Sequence, residues 1–366
     1  MAYTDIDKPS DYFNTKLYTG NAGGQAISGI GFQPDFLWIK ARSDAYQHSL
    51  RDVIRGSTKT LRSNGTNAEA TQSDSVTSFD SDGFTLGADS SSFVNQNSST
   101  YASWNWKAGT SVSGNTGGSG TAKTYTGSVN TDAGFSIIKY TGNGTSGHTI
   151  PHHLGTTPAL VIARTISVAK DWNVYHHKNT SAPETDVLVL NTTAATADDL
   201  GVWNDTAPTS SVVTLGNSSQ LNTNDGTCIM YAFSEKQGYS KFGSYTGNGN
   251  ADGTFVYTGF KPAFVLCKNT GNSGAQWLMV DNKRVGINPI ENYVQANSSS
   301  AEATGTDNYD FLSNGFKCRS TNSWNNQSGY NIIYMAFAEK PFVTSTGVPD
   351  CARWWLIEKY NNYWRL

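Results

Sequence analysis

Five of the six histidines fall in one stretch of the chain: His148, His152, His153, His176 and His177. Imidazole suits zinc, nickel or copper, so such a crowd raises the question of a metal site. The adjacent pairs lack the i, i+4 helical spacing of zinc enzymes, and no carboxylate motif accompanies them. Surface or turn histidines are the reading taken, with no metal and no cofactor assigned. Asp80-Ser81-Asp82-Gly83 opens like a calcium loop, but the twelfth position, which should be glutamate, is Ser91. An Asp-Gly hairpin turn fits better. No G-x-S-x-G, P-loop or HExxH is present, and no acid, base and nucleophile stand in recognisable roles. A pair of distant carboxylates for glycoside cleavage stays open, though Asp and Glu are sparse. No catalytic residue is named, and the chain reads as a non-enzyme.

Aromatic side chains are the other chemistry on offer. Trp104 and Trp106 alternate about Asn105 and so face one side of a strand. Most tryptophans belong in cores by their general habit. Trp203 and Trp324 fall in loop-like sequence and are the candidates for contact with a ligand such as a sugar ring. The last residues hold Trp354, Trp355, Leu356, Tyr360 and Trp364, an aromatic group suited to an assembly interface.

The frame for these residues is β structure. Among 366 residues only 15% are charged, and 36 are glycine. Helix surfaces need Glu, Lys and Arg, so the shortage argues for short strands and tight turns. The net charge of −3 argues against nucleic acid as a partner. No apolar run reaches the ~20 residues of a membrane helix, and the start MAYTDIDKPSDYF has no secretory pattern, so no membrane insertion is expected. The cysteines at 228, 267, 318 and 351 form no CxxC pair, and Cys228 and Cys267 read as buried thiols.

A series of landmarks recurs three times. YTGN or its near copy stands at Tyr18, Tyr140 and Tyr245. A Pro-led apolar run follows each time: GFQPDFLWIK, LGTTPALVIAR and GFKPAFVLCK. The units close on YASWNWK, MYAFSEK and YMAFAEK. Branched and aromatic runs bounded by Pro and Gly suit buried strands. The expectation is an all-β chain of three tandem antiparallel β-sandwich repeats, jelly-roll-like, each of roughly 100 residues. The boundaries are an N-terminal arm over 1–15, repeats over 16–109, 123–237 and 238–342, a Gly/Ser-rich linker over 110–122, and an aromatic tail over 343–366.

YTDIDKPSDYFNTKLYTGN, GFQPDFLWIK, FDSDGFTLG and YASWNWKAG together resemble a domain of virion proteins from tailed phages, above all marine and cyanobacterial ones, described as tail-fibre-like or lectin-like. The second unit keeps KYTGNGT and HHLGTTPALVIAR but lacks the FDSDGF block; the third keeps YTGNG, GFKPAFVLCK and NGF. The resemblance implies a place in the virion, assembled in the host cytoplasm. It implies other virion proteins as partners, host surface glycan as a possible one, and a homo-oligomer, a trimer by analogy. Its motifs are scaffold residues, so it transfers no site. A decoration, fibre or tail adaptor without a receptor, and a polysaccharide depolymerase, are the competing expectations.

Overall fold

The structure is a computed structural model that describes residues 3–305 and 309–350. It is all-β, built of several antiparallel sheets, and among the described residues none closes into a barrel. Among these residues three larger sheets are each backed by a three-stranded one, and each such pair of sheets is called a sandwich below.

In the first, after a 3-10 turn over Pro9–Asp11, come β1 (Phe13–Thr19), β2 (Gln25–Ser28), β3 (Phe36–Ala41) and β4 (Ser49–Asp52). The short β5 (Lys59–Thr60) and β6 (Ala70–Thr71) pair with each other, and β7 (Val76–Asp80), β8 (Gly83–Leu86) and β9 (Thr100–Trp106) follow. Its larger sheet has the order β1-β9-β3-β4, its small one β2-β8-β7. The second contains β10 (Thr110–Asn115), β11 (Gly117–Gly118), β12 (Thr124–Asn130), β13 (Phe135–Thr141), β14 (His148–Pro151), β15 (Leu160–Thr165) and β16 (Asn173–His176). It continues with β17 (Asp186–Val189), β18 (Ala197–Asp198), the helical turn α1 (Leu200–Trp203), β19 (Val212–Leu215) and β20 (Thr227–Phe233). Its sheets run β10-β12-β13-β20-β15-β16-β17-β18 and β11-β14-β19. The third comprises β21 (Ser240–Thr246), β22 (Phe255–Tyr257), β23 (Phe260–Asn269), β24 (Leu278–Asp281), β25 (Val294–Gln295), β26 (Tyr309–Leu312), β27 (Gly315–Cys318) and β28 (Asn331–Pro341). Its sheets are β21-β28-β23-β24-β25 and β22-β27-β26.

The Pro-led runs are the central strands, and their alternation divides the interior. Phe36 and Trp38 of β3, Leu160 and Ile162 of β15, and Phe264 and Leu266 of β23 all enter one core shared by the three sandwiches. The residues between them face the other way. Leu37 and Ile39, Val161 and Ala163, and Val265 and Cys267 fill three separate cores beneath the small sheets. Each larger sheet is therefore apolar on both faces, which is why these strands read as continuous hydrophobic runs.

Two segments differ from expectation. The Gly/Ser-rich stretch 110–122 is not a linker: Thr110–Asn115 pairs residue for residue with β12. Alternating exposed Ser and Thr suits an edge strand as well as it suits a loop. Within the expected N-terminal arm, Ile6 and Phe13 lie in the shared core.

Candidate functional site

The YTGN turns are clamps. Tyr18, Tyr140 and Tyr245 donate their hydroxyls to the carbonyls of Val94, Leu221 and Asn325, at 2.8, 2.6 and 2.6 Å. The next residue in each target is a fully buried asparagine: Asn95, Asn222 and Asn326. Its side-chain oxygen accepts the backbone N–H of Asn21, Asn143 or Asn248. The glycine between lies so close that a Cβ on Gly20, Gly142 or Gly247 would sit 2.2–2.3 Å from the carbonyl one residue further on. The turn binds its own chain.

The histidines are likewise spent on the chain. His152 and His176 each accept a backbone N–H at Nδ1, from Leu154 and Lys178, and so donate from Nε2 to the carbonyls of Thr209 and Tyr334. His148 joins Asn222 and Thr116, His153 joins Tyr125, and His177 meets the Phe242 carbonyl. His148, His152 and His176 are buried, against the expectation of surface or turn positions. Burial pushes His152 down to about 4 and His176 down to about 3. Among the described residues no group of three or more His, Cys, Asp or Glu is arranged to hold a metal ion.

Trp203 ends α1 and is 1% exposed, with its ring edge-on to Tyr175. The helical turn folds it inward, so it offers no ligand contact; a short loop-like sequence concealed a core residue. Trp324 is half-buried and edge-on to Tyr293. The residues Trp354, Trp355, Leu356, Tyr360 and Trp364 lie outside the described residues. Cys228, Cys267 and Cys318 are buried free thiols.

A different surface gathers exposed aromatic rings. Strand β22 reads Phe-Val-Tyr: Val256 points into the third small core, while Phe255 (45% exposed) and Tyr257 (61%) point out. Side chains two apart on a strand lie about 7 Å from each other on one face. Tyr257 forms one wall of an open groove of about 490 Å³. Tyr3, 62% exposed, lines it too, with Asp5, Glu235, Gln237, Lys241 and Thr258. The floor is fixed by exchange between two segments. Asp5 N–H donates to the Gln237 carbonyl at 3.0 Å, and Gln237 N–H returns to the Asp5 carboxylate at 3.1 Å. Thr4 adds its hydroxyl to the same carbonyl at 2.7 Å. Gly238, at φ +78°, lies where a Cβ would collide with Thr4 Oγ1. Glu235 accepts from Lys241 Nζ at 2.9 Å and from Phe242 N–H at 3.0 Å. Rings for stacking beside amides, hydroxyls and charges, in a groove of ligand size, can hold a polar molecule with flat apolar faces.

The sequence offered one signal for this site. In the small sheets Val256 pairs with Phe316, as Ile27 pairs with Phe84 and Ile150 with Val213. Phe255 and Tyr257 therefore stand where the first sandwich has Ala26 and Ser28 and the second has Thr149 and Pro151. Aromatics on either side of a valine look like core residues until the phase of the strand is known.

No curated protein and no solved structure matches the chain. No helix among the described residues is long and apolar enough to cross a membrane. Residues 8–341 match a domain of unknown function, DUF7483, as one continuous unit running through all three sandwiches, and the chain belongs to that family.

Proposed function

We propose that this chain is a structural protein of a bacteriophage virion, a tail fibre or receptor-binding component, that holds host surface glycan in the groove beside Tyr257. The observation that supports the reading is the exposure of Phe255 and Tyr257 at positions where the other two sandwiches carry small or polar residues. Solvent-facing aromatics beside polar side chains suit the apolar faces and hydroxyls of a sugar. The virion assignment rests on the resemblance of the landmark motifs, and the compact β scaffold with its few charged residues accords with it.

The reading includes three copies of one jelly-roll-like unit. The larger sheets share the order β1-β9-β3-β4, β13-β20-β15-β16 and β21-β28-β23-β24. Contacts between sandwiches recur in a ring. Trp172 Nε1 donates to the Arg62 carbonyl, Trp277 Nε1 to that of Val189, and His48 Nε2 to that of Gln295, at 2.8, 3.1 and 3.0 Å. One groove per chain gives one weak contact, so homo-oligomerisation, trimeric by analogy, multiplies it. In this reading the groove binds glycan and does not cleave it.

A glycan array tests this. Wild type binds host-derived glycans, and Tyr257→Ala weakens binding about tenfold or more, in the range of a central aromatic contact, with an unchanged melting temperature. Binding indifferent to Tyr257→Ala counts against the groove. A second reading, an adaptor without a receptor, is favoured by the groove's position: Tyr3, Asp5, Phe342 and Val343 bring the first and last described segments to its wall. An array with no bound glycan would favour that reading.

A further inference from the structure

We propose that the groove selects glycans bearing a free amine over neutral ones, and rejects acidic ones; this rests on the reading of the groove as a glycan site. Two carboxylates and one ammonium line it: Asp5, Glu235 and Lys241. Lys241 is paired with Glu235 at 2.9 Å, so these two charges answer each other. Asp5 is matched only by a backbone N–H, that of Gln237, and no cation of the described residues pairs with it. One negative charge at the groove therefore remains to be met by the ligand. The rings of Tyr3 and Tyr257 add their negative faces to the same space. A carboxylate brought into the groove would face Asp5 at short range with part of its water removed, which costs free energy. An ammonium would meet Asp5 and two tyrosine rings together, the combination that recognises cationic ligands elsewhere.

The discriminating measurement is calorimetric titration of the full chain with three oligosaccharides of equal length. A glucosamine oligomer carries free amines, its N-acetylated counterpart has the same backbone uncharged, and an oligouronate is anionic. The amine form binds about three- to tenfold more tightly than the N-acetylated form, the sum expected of one exposed charge pair and one cation–π contact. The oligouronate binds more weakly than both. Asp5→Asn, whose amide oxygen can still accept the Gln237 N–H, lowers the ratio of amine to N-acetyl affinity about two- to fivefold. Raising the salt concentration shrinks the preference, because the contact is exposed. Equal affinity for amine and N-acetyl forms overturns the charge selection while the glycan reading stands. So does tighter binding of the oligouronate. If none of the three binds, and no glycan on the array does, the site reading itself falls.

Discussion

Asn222 shows how a single residue holds a turn in place. Its oxygen accepts from Asn143 N–H at 3.0 Å and meets His148 Nδ1 at 2.9 Å. Its amide nitrogen donates to the carbonyls of Thr145 and Gly216 at 3.1 and 2.7 Å. Asn222→Ala strands several buried polar groups at once and is expected to cost about 2–4 kcal/mol, read from urea unfolding midpoints. The buried histidines set the pH response. His48 accepts from Trp38 Nε1 at 2.8 Å and donates to the Gln295 carbonyl, so a second proton has no acceptor within reach. Burial pushes it down to about 3, as it does His176. Between pH 6.5 and those values the unfolded chain takes up protons that the folded chain refuses, so stability falls as pH falls. Each histidine contributes about 1.4 kcal/mol per pH unit in that window. Urea midpoints at pH 7, 6 and 5, above the carboxylate range, are expected to decline steadily, with a shallower decline in His48→Asn.

At the scale of elements, two strand ends hold a repeated device. After β4, Arg55 donates to Asp52 at 2.5 Å and to the Leu50 carbonyl at 2.9 Å; after β24, Arg284 donates to Asp281 at 2.6 Å and to the Met279 carbonyl at 2.8 Å. Both pairs are at most 1% exposed, and each carboxylate also receives a donor from another sandwich: Tyr231 at 2.7 Å and Trp104 at 3.1 Å. The second sandwich replaces the pair with His176 and the Tyr334 carbonyl. Asp281→Ala leaves Arg284 charged and buried and is expected to cost about 3–5 kcal/mol, whereas Asp281→Leu with Arg284→Met costs far less. A double-mutant cycle by denaturant unfolding checks this. The strands themselves were legible, because GFQPDFLWIK and GFKPAFVLCK combine Pro entry, branched runs and period-2 faces. Their last residues were not. Lys40, Arg164 and Lys268 look solvent-bound in sequence, yet all three are buried and donate to carbonyls, Arg164 to those of Gly65 and Thr66. No local pattern announces that Lys40 and Lys268 turn to the carbonyls of Ala41 and Ala275, or that Arg164 reaches back to Gly65 and Thr66 of the first sandwich.

For the molecule as a whole, the shared core decides what can stand alone. Phe242, Phe264, Leu266, Trp277, Met279, Met335 and Phe337 of the third sandwich all face it. A fragment of residues 238–342 would expose that face and is expected to be unfolded or aggregated by circular dichroism, while the full chain melts in one calorimetric transition. Three separate melting transitions, or a well-folded fragment, would contradict the controlling role of the shared core. The landmarks in sequence read as beads on a string, whereas side chains from all along the chain meet in one shared core. What joins them is long-range: tryptophan and histidine ring N–H groups reaching carbonyls of the next sandwich, and side chains whose inward direction depends on strand phase. Exposure differs from expectation for the same reason: Trp203 is buried, while Phe255 and Tyr257 face solvent.

The most direct test of the glycan-contact reading is a reconstruction of the assembled particle that locates this chain. It is expected on the tail, with β22 and the groove lined by Tyr3 and Tyr257 directed outward and free of neighbouring proteins. A groove covered by another virion protein, or a particle from which the chain is missing, would contradict it.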